Sequence, residues 1–228
     1  MPDYGLIVKN NNEEIQIDST YRNLSLDQSD TSTISAATKI AITASLLVPL
    51  CLVRPNTDRF IAVRSYSKTG SNFDGINILT EYDQSTSIGW QVYRENRTAS
   101  GENYGLLVYN SSGELCFDSG KNYFKIFSVH TITLTGGPYG ALGDYEDISH
   151  AGISNPYYIL SPSSYWVVAV QGAPGRLYVS SIGIKKLTST SVRVGWFSWI
   201  NVATPYPGPG DPIVEGLNPT MKLIVCAP

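Results

Sequence analysis

One stretch of this chain is written twice. Residues 4–26 open on Tyr-Gly-Leu-Ile-Val-Lys-Asn, reach Glu14 and close on Asp18-Ser19. Residues 104–126 open on Tyr-Gly-Leu-Leu-Val-Tyr-Asn, reach Glu114 and close on Asp118-Ser119. Two further blocks follow in the same order. Pro49, Pro55, Ala62 and Val63 match Pro156, Pro162, Ala169 and Val170, and Ile76, Ile78, Ser85, Gly89 and Trp90 match Ile182, Ile184, Ser191, Gly195 and Trp196. Across the three blocks 17 of 53 positions agree, where unrelated sequences of ordinary composition would share about 3. A fixed period with collinear blocks is the signature of a duplicated structural unit. The expected division is therefore a first module over 1–102, a second over 103–203, and a Pro-rich C-terminal arm over 204–228 that ends in one more strand.

Each block carries the marks of β-structure. Tyr4 to Lys9 and Tyr104 to Tyr109 are rich in β-branched and aromatic residues. They run into Asn-Asn-Asn and Asn-Ser-Ser-Gly, which accept turn geometry. Ile15 and Ile17, like Leu115 and Phe117, then alternate with polar residues, as a half-buried strand requires. The result in both copies is a hairpin, with Asp18-Ser19 and Asp118-Ser119 closing it as side-chain-capped turns. Ile88, Trp90 and Val92 alternate in the same way, as do Val192, Val194 and Trp196. About eight short strands per module, with no helical period, predict an all-β fold of two tandem β-sandwiches. Ala36-Ala37-Thr38 is the one place compatible with a helical turn. Pro205, Pro207, Pro209 and Pro212 mark the arm as extended, and Met221 to Cys226 reads as a strand that pairs within the second module or with a neighbour's sheet edge.

Composition narrows the function. Charged residues make up 15% and the net charge is −3. With no Lys/Arg-rich run, a phosphate-tracking, nucleic-acid-binding surface is excluded. The longest apolar run, Leu46 to Val53, is broken by Pro49 and too short to cross a bilayer. No basic-then-apolar leader opens the sequence, which points to synthesis and folding in a cytoplasm. Cys51, Cys116 and Cys226 are an odd, widely spaced set and read as buried free thiols.

Catalytic chemistry is hard to find. His130 lies in an alternating strand and His150 in a polar loop, without metal-ligand spacing between them. Ser65 to Lys68 fits a Ser-x-x-Lys pattern but lacks its partner motifs. Asp144, Glu146 and Asp147 gather three carboxylates in one loop, a set that a hard cation would accept and that solvated loops more commonly show. No cofactor, metal site or catalytic residue is expected, and the chain reads as a non-enzyme. Aromatic residues are the remaining lead. Tyr139, Tyr157, Tyr158, Trp199 and Tyr206, with Leu223 and Val225 of the last strand, are the candidate assembly or binding residues, since Tyr and Trp dominate protein–protein hot spots.

The phrase Tyr-Gly-Leu-x-Val-x-Asn-x-x-Gly-Glu-x-x-Phe-Asp-Ser at 104–119 resembles the small β-sandwich virion proteins of long-tailed bacteriophages, encoded near tail-tip and fibre genes. The N-terminal copy is similar, with Glu13 in place of the Gly and Ile17 in place of the Phe. The resemblance covers the two hairpins and carries no catalytic residue. It implies a structural tail component of the tip, baseplate or fibre-attachment region, located in the virion and made in the host cytoplasm. Its partners would be other tail proteins and copies of itself. The alternatives are a receptor-binding protein that grips a host glycan or protein, and a decoration or tail-tube protein.

Overall fold

The computed structural model describes residues 7–9, 15–18, 23–134, 144–161, 166–171, 176–203 and 220–227. They form seventeen strands and no helix. The first half holds β1 (Ile7–Lys9), β2 (Ile15–Asp18), β3 (Leu24–Ser35), β4 (Ala37–Ser45), β5 (Leu50–Pro55), β6 (Ile61–Thr69), β7 (Asn72–Thr80) and β8 (Ser85–Glu95). The second holds β9 (Leu107–Tyr109), β10 (Leu115–Asp118), β11 (Ile126–Thr133), β12 (Tyr145–Ser149), β13 (Tyr157–Ser161), β14 (Trp166–Gln171), β15 (Arg176–Thr188), β16 (Ser191–Ala203) and β17 (Thr220–Cys226). The chain is an all-β sandwich. The repeated openings are hairpins, β1 with β2 and β9 with β10.

The two halves interlock. One main sheet runs β11-β17-β13-β5-β8-β3, and the other runs β12-β16-β15-β6-β7-β4 with β14 added beside β15. Both orders are palindromic: β11, β17 and β13 mirror β3, β8 and β5, while β12, β16 and β15 mirror β4, β7 and β6. The halves meet edge to edge, at Val53 opposite Tyr158 in one sheet and Ile61 opposite Ile184 in the other. The duplication has thus become an internal pseudo-two-fold axis. Val53 opposite Tyr158 brings Leu52 against Ile159, residues that the 107-residue offset equates. At one end of the first sheet the two copies touch again. Phe124 donates its amide to the Leu24 carbonyl at 3.0 Å, and Leu26 donates to Asn122 at 2.7 Å. Leu24 and Phe124 are equivalent under the 100-residue offset.

One core fills the space between the sheets, and it draws on both halves. Alternation supplies it: Ile88, Trp90 and Val92 from β8, Met221, Leu223 and Val225 from β17, Ile76 and Ile78 from β7, Ile182 and Ile184 from β15. The boundary at 102/103 therefore separates sequence repeats and not cores. The C-terminal strand is no free arm either. β17 lies inside the first sheet, hydrogen-bonded to β11 on one edge and β13 on the other. Residues 204–219, the Pro-rich part, lie outside the described residues.

The third sequence block does not superimpose in space. Gly89-Trp90 lies in β8 of the first sheet and Gly195-Trp196 in β16 of the second. The shared dipeptide meets the same local demand twice. Trp90 and Trp196 both fill the core, while the absent Cβ on the opposite face leaves room for a neighbour. At Gly89 a Cβ would meet the Arg54 guanidinium at 3.0 Å, and at Gly195 the Tyr145 Cβ at 3.0 Å. Ala36 takes no helical turn. It adopts φ 43° between β3 and β4, and its carbonyl accepts from Thr80 N at 2.7 Å.

Smaller clusters cover the outer faces. Leu52, Tyr93, Tyr157 and Cys226 pack together outside the first sheet, with Leu24, Phe124, Ile159 and Ile224 against them. Phe60, Ala62, Leu79 and Phe197 do so outside the second, where the two Phe rings stack at 5.8 Å. Arg94 points inward, with its guanidinium 2.7 Å from Asp27 and almost wholly buried.

Because Leu223 is a fully buried core residue on an interior strand of a shared sheet, Leu223→Ala should lower the stability of the isolated chain by about 2–5 kcal/mol. Urea unfolding followed by circular dichroism measures this. An unchanged midpoint would return the residue to a surface role.

Candidate functional site

The structure divides the sequence-derived candidates. Tyr157, Tyr158, Leu223 and Val225 are buried and belong to the core, so they are unable to face a partner. Tyr158, Leu223 and Val225 fill the space between the sheets, and the outer cluster around Leu52 hides Tyr157. Tyr139 and Tyr206 lie outside the described residues, and Trp199 is described only as a position in β16. Among the described four, Tyr158, Leu223 and Val225 belong to the central core and Tyr157 to the outer cluster, so they form no common exposed site.

Both histidines and Asp147 are bonded to neighbouring side chains, while Asp144 keeps a buried carboxylate oxygen with no hydrogen-bond partner among the described residues. His150 lies in the loop after β12, where it is buried. Its Nε2 pairs with the Tyr158 hydroxyl at 2.6 Å, and burial pushes that phenol well above its usual range. Asp147 grips Arg193 through two bonds of 2.7 and 2.9 Å, and these hold its carboxyl below the usual range. Arg193 in turn lies over the Tyr145 ring, 3.4 Å from its centroid. Among the described residues no group of three or more His, Cys, Asp or Glu side chains could hold a metal ion. All three cysteines are buried; burial pushes Cys51 and Cys226 up to about 12, leaving thiols with little nucleophilic character.

Two surface features remain. The first is β11, an edge strand of the first sheet. Ile126, Phe127 and Val129 are exposed there at 55%, 47% and 53%. An edge strand carrying apolar side chains is a template for pairing with another chain, and monomeric proteins avoid it.

The second is a cleft beside the β9–β10 hairpin, at the place where the two copies touch. It holds cavities of about 520 Å³ and about 300 Å³ that share Leu26, Lys121 and Asn122. Its construction follows from the repeated motif. Asn110 takes the amides of Ser112 and Glu114 on its side-chain oxygen, and Gly113 supplies the left-handed φ of 77° that the turn needs. Ser119 Oγ accepts from Leu106 N at 2.8 Å. Asp118 closes the hairpin, as the sequence leads one to expect. Buried itself, it accepts from Ser100 N at 2.6 Å, Ser100 Oγ at 3.1 Å and Gly120 N at 2.8 Å, tying both walls of the smaller cavity together.

Around the larger cavity stand four rings. Phe117 stacks on Tyr123 at 4.9 Å, and Tyr93 meets Phe124 edge-on at 5.7 Å. Asn23 and Gln91 add neutral polar groups. Lys121 sits between the cavities, its ammonium 2.9 Å from the Asn96 carbonyl. The sequence disclosed the hairpin but not the cleft, because its walls come from residues 23–26, 91–100, 117–125 and 227.

The site and sandwich define the class: an all-β sandwich protein with an internal pseudo-two-fold. No protein-family model matches the chain, and neither does any curated protein or solved structure.

Burial raises the Asp118 pKa, but the hydrogen bonds from Ser100 and Gly120 and the charge of Lys121 outweigh it, so the group titrates below its usual range. A carboxyl depressed in the folded state stabilises above its unfolded value of about 4, and that contribution disappears as pH falls through the folded value. Asp118→Asn should therefore cost about 1.5–3 kcal/mol at pH 7. The gap from the parent chain should shrink as pH falls below about 4. Paired urea titrations at pH 7 and pH 3 check both; a gap that does not depend on pH contradicts the carboxylate's role.

Proposed function

We propose that this protein is a structural component of a bacteriophage tail, in the tip, baseplate or fibre-attachment region, and acts by protein–protein assembly. The observation that carries the assembly reading is the β11 edge. Among the described residues no strand pairs with its outer side, so main-chain donors and acceptors stand there in a row, with Phe127 and Val129 exposed beside them. A partner strand laid on that edge would satisfy the backbone groups and bury the side chains in one step. A rigid shared core supports the role, since an assembly face on a stiff sandwich loses little entropy when it docks. The tail assignment itself draws on the resemblance of the 104–119 hairpin. The partners would be neighbouring tail proteins and further copies of the chain, and the location would be the virion.

Val129 points outward at 53% exposure, so Val129→Lys should leave the fold intact while opposing strand addition. In a phage carrying that substitution the chain should stay soluble and folded but be depleted at least tenfold from purified particles, measured by quantitative mass spectrometry. Normal incorporation would overturn the edge's role. Absence of the parent chain from particles would overturn the tail assignment.

A further inference from the structure

We propose that the cleft beside the β9–β10 hairpin is a binding site for an acidic oligosaccharide. This goes beyond the tail reading and does not depend on it.

The two cavities, about 520 Å³ and about 300 Å³, join through Leu26, Lys121 and Asn122. Together they are within the size range of ligand pockets. The larger one is lined with aromatic rings, the surface on which the C–H face of a sugar packs. Neutral amides and hydroxyls stand beside the rings: Asn23, Gln91, Ser119 and Asn122 in the larger cavity, Thr98 and Ser100 in the smaller. Such groups both donate and accept, as bonding to sugar hydroxyls requires.

The charge pattern sets the class of sugar. Among the described residues Lys121 and Lys125 line the cleft, while the carboxylates of Asp118 and Glu102 stand at its Gly120 rim, Asp118 already committed to Ser100 and Gly120. In a protein with net charge −3, a concave surface of that sign favours an anionic ligand. Lys121 spends one donor on the Asn96 carbonyl, at 2.9 Å, and has two more.

The cleft is also built rather than incidental. Its far wall is pinned by Phe124 N to Leu24 O and by Ala227 N to Lys125 O, each at 3.0 Å. Its rim is tied by Asp118 to Ser100 and Gly120. At Gly120 a side chain would strike Ser100 Oγ at 2.4 Å and Glu102 Cγ at 2.8 Å, so glycine keeps that rim compact. Asn96, Thr98, Ser100 and Asn122 are exposed, which leaves the cleft open to a ligand from solvent.

The test uses the full-length chain on a printed array of uronate-containing, sialylated and phosphorylated oligosaccharides with their neutral counterparts. Acidic members should bind, and their neutral counterparts should bind at least tenfold more weakly. The double variant Lys121→Ala/Lys125→Ala should lose at least tenfold in affinity. Thr98→Trp, at an exposed position in the smaller cavity, should block the longer ligands. Lys222→Ala, outside the cleft, should bind as the parent does. Circular dichroism confirms that each variant is folded. No acidic saccharide bound, equal binding of neutral ones, or binding unaffected by the lysine pair or by Thr98→Trp would each overturn the proposal.

Discussion

Everything in this molecule depends on two short edge-to-edge contacts, β5 with β13 and β6 with β15. Each is one ladder position long in its sheet: Val53 opposite Tyr158, and Ile61 opposite Ile184. Hydrogen bonding alone would make a weak join. The join holds because it closes the space between the sheets, so side chains from both copies fill a single core. A three-strand by three-strand half would leave those edges and that apolar face open to water. Joined, the two halves remove two of each other's exposed edges, which is how a duplicated unit escapes the hazard of unpaired strands. A small cavity of about 130 Å³ remains at the seam, lined by Cys51, Val53, Ile61, Tyr66 and Tyr158 among others, and the Tyr66 hydroxyl there accepts from Cys51 N at 3.2 Å.

The two copies have since diverged in what they expose. Outer ends of the first sheet are β3 and β11, equivalents under the pseudo-two-fold. β3 presents Asp27, Ser29, Asp30 and Thr31 to solvent, whereas β11 presents Ile126, Phe127 and Val129. Charge on an edge strand discourages pairing and apolar side chains invite it. The same duplicated element thus carries a charged, polar edge at one end and an apolar one at the other.

Much of the fold was legible in the sequence, for identifiable reasons. The hairpins at 7–18 and 107–118 carry their own turn chemistry, and period-two alternation marked the inner faces of β8 and β16. The edge-to-edge join left no local trace, since it links residues more than a hundred positions apart and rests on one residue pair per sheet. The third repeat block misled about strand equivalence. Gly-Trp recurs because a core tryptophan and a crowded outer face recur, although β14 has entered the second half and displaced the strand order by one. The burial of Tyr157, Leu223 and Val225 left no local trace, because it depends on β17 and β13 pairing inside the first sheet and on the outer cluster around Leu52. The cleft was hidden for a similar reason: Leu26, Tyr93, Phe124 and Ala227 meet only once the first sheet has curled back on itself.

The claim at the centre of this account is that both copies share one core and therefore open together. Native-state hydrogen exchange in increasing urea measures this at single amides. The most protected amides of β8, such as Val92, and of β17, such as Leu223, should converge on one free energy and one denaturant dependence, that of global unfolding. Two separate limits, with one half opening at lower urea while the other keeps its protection, would show two independent cores and contradict the account.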